Sequence, residues 1–188
     1  MTLRVFTLEP FDPGNPGEVE LIDIRGSLAR GSDSLVISYH LQSYRRSIDQ
    51  LIVIPGLTET PVRCNELWQH TCFECFVAGK GEKRYWEYNL SPSGDWNVYQ
   101  LQDYRSGLQS DLSIHQPFFV HRLAPQRWDM EMTLQIPGPL VACQNLQIGI
   151  TAVLEHACHQ LSYWALHHGG ANADFHSRDS FQMECPAP

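Results

Sequence analysis

Residues 128–136 of this chain alternate without a break: Trp128, Met130, Met132, Leu134 and Ile136 are separated by Asp129, Glu131, Thr133 and Gln135. A period of two marks a β-strand with one face buried and the other wet, and an α-helix cannot gather that pattern onto one side. Leu35, Ile37, Tyr39 and Leu41 repeat it against Val36, Ser38, His40 and Gln42. Further short runs, rich in β-branched and aromatic residues, lie at 20–28, 51–54, 72–77, 84–90, 96–101, 118–123, 146–154 and 161–166. Most are bounded by Gly, Pro, Asn or Asp, the residues that turn a chain. Residues 31–34 and 79–82 read as hairpin loops, and the charged loop at 80–84 as a shield for a sheet edge. The sole helical candidate, residues 139–145, is two turns at most. The expected fold is all-β, a two-sheet antiparallel β-sandwich of jelly-roll kind with one or two short helical turns.

At 188 residues the chain reads as one domain over 1–188, large enough to bury a core without disulfide staples. Its formal net charge of -8 argues against general affinity for nucleic acid or an anionic membrane surface, since no basic stripe exists to release counterions. No run approaches the roughly 20 apolar residues of a membrane-spanning helix. The first ten residues hold an acid and a proline where a secretory leader needs an apolar run. The expected location is cytoplasmic, and the six cysteines then read as small apolar residues in place of a disulfide set. Cys72 and Cys75 have CxxC spacing. In a strand, however, positions three apart point to opposite faces, and no second CxxC exists to complete a zinc site.

The chemistry concentrates between Trp68 and Tyr99, where three of the five tryptophans lie. Glu74 and Glu87 recur there inside otherwise apolar, aromatic strands, and a buried carboxylate must find a partner or lose its charge. Either they face a ligand, or they pair with Arg63, Arg84 or Arg105 across neighbouring strands. Trp68 stands just before a strand, placed to stack on a flat ring or to lid the core. A second region, residues 163–176, ends a strand with Trp164 and follows it with His167, His168, two glycines, Asp174 and His176. Trp164 could oppose Trp68 as a second aromatic wall, with a histidine donating hydrogen bonds or ligating iron. Asp174 and His176 equally suit the pinning of a final loop. No Gly-x-Ser-x-Gly elbow or glycine-rich phosphate loop is present, so catalysis has no positive support.

Trp68, Glu74 and Phe76, then Tyr85-Trp86-Glu87 and Ser91-Pro92-Ser93-Gly94, resemble the central strands of DOMON-like domains. These domains are close to the family 9 carbohydrate-binding modules, whose strands read approximately Trp-x-x-Asp-x-x-Glu-x-Phe and Tyr-Tyr-Glu-x-x-x-Ser-Pro. Asp174-Phe175-His176 with Phe181 is similar to the segment that closes many of them. The likeness runs from Trp68 to the C-terminus. One departure stands out: Thr71 occupies the place of the acid three residues after the tryptophan.

The resemblance implies a sandwich that binds sugars, or in other branches haem, without catalysis. The expected function is a small-molecule binding module for a carbohydrate or sugar derivative. Its ligand-binding residues would be Trp68, Glu74, Glu87, Trp164, His167 and His176, with no catalytic residue and no metal ligand. A protein-interaction module and a haem-binding protein are the alternatives. The cofactor is unassigned, with haem and calcium both open. No nucleic-acid or membrane partner is expected.

Overall fold

The computed structural model describes residues 3–11 and 22–188. Twelve strands appear in chain order. They are β1 (Leu3–Pro10), β2 (Ile22–Arg30), β3 (Ser34–Ser43), β4 (Cys72–Gly79), β5 (Tyr85–Leu90), β6 (Trp96–Leu101), β7 (Gln109–Ser110), β8 (Phe118–Ala124), β9 (Arg127–Gln135), β10 (Asn145–Glu155), β11 (Leu161–Ala165) and β12 (Met183–Pro186). Two short helices, α1 (Ile48–Leu51) and α2 (Gly138–Val141), complete the regular structure with two single 3-10 turns.

The all-β antiparallel class stands, but the strands form one curled sheet, ordered β7-β6-β5-β4-β10-β11-β1-β2-β3-β9-β8, with β12 beside the start of β10. A single strand makes the path continuous. β1 pairs with β2 from Leu3 to Leu8, then with β11 through Glu9 and Pro10. β1 was not expected from the sequence, nor were β7 and β12, which are too short to show a period. The strand expected at 51–54 does not form: Leu51 closes α1 and Ile52 makes an isolated bridge to His156. Residues 20 and 21 of the run at 20–28 lie outside the described residues. The loop at 80–84 joins two interior strands, β4 and β5, so it shields no edge; the path ends at β7 and β8.

The curl brings the two halves of the path face to face. Trp128 of β9 meets Phe73 of β4 edge-on at 5.5 Å, and Tyr39 of β3 stands 5.0 Å from the same ring. Tyr39 donates to the Glu74 carbonyl at 3.2 Å, and Tyr88 to that of Gln135 at 2.6 Å. Buried phenol groups thus spend their hydroxyls on backbone oxygens across the core, as desolvation requires. Met130 and Met132 are ordinary filler in this core. Where β1 crosses β2, Gly26 is required by space: a Cβ there would lie 2.1 Å from the Ser38 carbonyl oxygen and 2.3 Å from Phe6 Cζ.

Strands β4 and β5 are buried on both faces. Phe73, Cys75, Val77, Trp86 and Tyr88 enter the main core. The alternate residues point to the other face of the sheet, where Phe76, Ala78, Tyr85, Tyr99 and Phe175 form a second cluster. That second face carries the candidate site.

Candidate functional site

A cavity of about 460 Å³ opens on this second face. Period two decides which side chains reach it. In register, Glu74 of β4 lies between Asn89 of β5 and Thr151 of β10. Glu87 lies between Phe76 of β4 and Tyr99 of β6. The two acids are therefore diagonal neighbours on one face of paired strands. Trp68 closes one side from the 3-10 turn Leu67–Gln69, its half-buried ring edge-on to Tyr99 at 6.0 Å. Asn65 holds that turn against β6, accepting from Tyr99 Oη at 2.8 Å and from Asn97 Nδ2 at 3.0 Å. Tyr163 of β11 and the loop residues Phe175 and His176 close the opposite side.

Each buried acid accepts one hydrogen bond from a neighbouring strand residue on the same face. Glu74 accepts from Thr151 Oγ1 at 3.1 Å, and Glu87 Oε1 from Asn89 Nδ2 at 2.8 Å. Glu87 Oε2 is buried, and no described residue donates to it. His176 Nε2 is the near group, 3.8 Å away, beyond hydrogen-bond reach. On its other side His176 Nδ1 lies 2.8 Å from Tyr85 Oη. Tyr85 Oη also accepts from the Arg105 amide at 3.3 Å, which ties the His176 loop to the turn after β6.

Burial pushes the Glu74 carboxyl well above its ordinary range, and the neighbouring Glu87 pushes it further. Burial also raises Glu87, opposed by its bond from Asn89 and by Arg105. For His176, burial and then Arg105 lower the value to about 4, so the ring is neutral at pH 7. Arg105 spends its own charge elsewhere, on Asp174 at 2.9 Å. Asp174 also accepts from Tyr104 Oη and from the His176 amide, which anchors the closing loop to the turn after β6.

Four of the six residues singled out in the sequence line this cavity: Trp68, Glu74, Glu87 and His176. Trp164 does not. It is 2% exposed in the main core, where its indole donates to Ser162 Oγ. Alternation turns its neighbour Tyr163 to the cavity and Trp164 away, so the second aromatic wall is Tyr163 with Phe175. His167 is exposed and outside the lining. The pairing of the acids with Arg63 or Arg84 is also not made: Arg63 lies over Trp96 at 4.0 Å and Arg84 over Trp86 at 5.2 Å. Thr71, the departure from the family pattern, is structural. It donates to the Val53 carbonyl and accepts from the Glu155 amide.

Among the described residues, no group of three or more His, Cys, Asp and Glu side chains is arranged to hold a metal ion. The six cysteines are free thiols. Cys75 faces the main core, whereas Cys72 has its sulfur 3.9 Å from Asn89 on the cavity side. Arg105, expected as a partner for the acids, lines the cavity but pairs with Asp174. Tyr163 and Phe175 line it without having been expected there; parity within β11 could have found Tyr163, whereas Phe175 sits on an irregular turn that carries no period.

No protein-family model matches the sequence, and no curated protein matches it significantly. Solved structures do share the fold. A candidate carbohydrate-binding protein from Bacteroides uniformis superposes with a TM-score of 0.65 at 12% identity, over 99% of this chain and 87% of that one. A family 9 carbohydrate-binding module from Caldicellulosiruptor kristjanssonii in complex with cellotriose gives 0.51 at 12% identity, over 88% and 75%. A module of the same family and organism in complex with glucose gives 0.50 at 10% identity, over 89% and 77%.

Proposed function

We propose that the protein is a carbohydrate-binding module that holds its ligand in the 460 Å³ cavity without catalysing a reaction on it. One observation carries this reading: aromatic side chains and two buried carboxylates converge on one cavity, and one carboxylate oxygen there has no donor among the described residues. A sugar ring offers both complements, an apolar C–H face for Trp68, Tyr163 or Phe175 and hydroxyl donors for the acids. Each Å² of apolar surface covered contributes about 25 cal/mol, and the acids supply orientation. The shared fold with modules seen holding glucose and cellotriose supports the same reading. We read the curled sheet in the same spirit, as the two-layer sandwich of DOMON-like domains.

Calorimetric titration with mono- and oligosaccharides tests the proposal. Saturable binding is expected, abolished by Trp68→Ala in a protein that still melts cooperatively. Heats that never saturate for any sugar, or binding untouched by Trp68→Ala, would remove it.

A further inference from the structure

Whatever fills the cavity must answer its charge. Glu74 is 3% exposed and Glu87 4%. The guanidinium in the lining, Arg105, is matched by Asp174 at 2.9 Å. His176 is neutral at pH 7, with its value near 4. Arg105 being matched by Asp174, no cationic side chain among the described residues pairs with Glu74 or Glu87, and burial opposes the ionisation of both. Glu87 Oε2 has no donor among the described residues, and its carboxylate is nine-tenths buried and faces the cavity.

A neutral hydroxyl would satisfy that oxygen as a hydrogen-bond acceptor but would leave the ionisation of the two acids opposed by the low dielectric. An ammonium group does more. It brings three donors and a full opposite charge, and the faces of Trp68, Tyr163 and Phe175 attract a cation further. The upward push that burial gives both acids is the cost an ammonium would relieve.

We infer that the ligand is an amino sugar, its protonated amine hydrogen-bonded to Glu87 Oε2 within the field of Glu74. This rests on the carbohydrate reading above and adds the class of sugar.

The test compares matched sugars by calorimetry at pH 7: glucosamine and its β-1,4 trimer, glucose and cellotriose, and the N-acetylated counterparts of the amines. Free-amine sugars should bind at least about tenfold tighter than both neutral sets. Glu87→Gln should remove that preference, so that free-amine and neutral sugars no longer differ in affinity. Glu74→Gln, as the second variant, should reduce the preference if Glu87→Gln does not fold. Equal or tighter binding of glucose and cellotriose would overturn the amine while leaving the carbohydrate reading standing. Silence from every sugar would remove both. A preference that survives Glu87→Gln would belong to the general attraction of a chain of net charge -8 and would overturn the assignment to this site.

Discussion

Trp68 and Trp164 show how one residue type divides between structure and site. Trp164 is enclosed in the core, so Trp164→Ala should cost about 3–5 kcal/mol in urea unfolding. Trp68 is half-buried at the cavity mouth, so Trp68→Ala should lower the melting temperature by only a few degrees and act on ligand affinity. A large loss of stability from Trp68→Ala would make it a lid on the core. The acids give a pH signature. Glu74 is raised by burial, so the folded state binds a proton that the unfolded state has lost, and its contribution to stability falls as pH rises above the ordinary carboxylate range. His176, lowered to about 4, acts oppositely: its contribution is present above about 6.5 and is lost as pH falls through 4. Glu74→Gln removes the first effect together with its coupling to Glu87 and leaves His176 in place. Urea melts should therefore show the variant gaining on wild type between pH 5 and pH 7.5; a constant difference would mean that Glu74 is not desolvated in the folded protein.

At the scale of elements, the alternation in β3 and β9 was plain in the sequence because each has one wet face. Strands β4 and β5 are buried on both sides, yet the polar residues Glu74, Glu87 and Asn89 still marked one face as different. Parity failed where it was not applied. Trp164 and Tyr163 are adjacent in β11 and adjacent strand residues point opposite ways, so only one of the two rings can face the cavity. Phe175 was illegible as a lining residue because turns have no period, and Arg105 was legible only as a possible partner for the acids. β1 was illegible for another reason: its outer residues Leu3 and Val5 are exposed and apolar, so burial leaves no alternation in residue type. Its packing depends on Gly26 beneath Phe6. Gly26→Ala should destabilise by about 1–3 kcal/mol or more, read from the shift of the urea midpoint at unchanged slope. A neutral effect would mean that both the Ser38 carbonyl of β3 and the Phe6 ring of β1 can give way without cost.

For the molecule as a whole, one sheet curls around one core and turns its outer face into a cavity roofed by the C-terminal loop. The walls come from β4, β5, β10, β11 and the Trp68 turn, so a bound ligand should stabilise the fold as a unit. At a hundred times its Kd the gain is about 2.7 kcal/mol, visible as a rise in melting temperature. The sugar-binding role itself is tested most directly by tryptophan fluorescence during titration with glucosamine, glucose and their oligomers. Trp68 is the tryptophan that lines the cavity, whereas Trp86, Trp96, Trp128 and Trp164 are buried in the core. The account predicts a saturable change that disappears in Trp68→Ala and persists in a conservative core variant such as Trp164→Phe. A flat signal across the sugars in a cooperatively folded protein, or a change that survives Trp68→Ala, would contradict it.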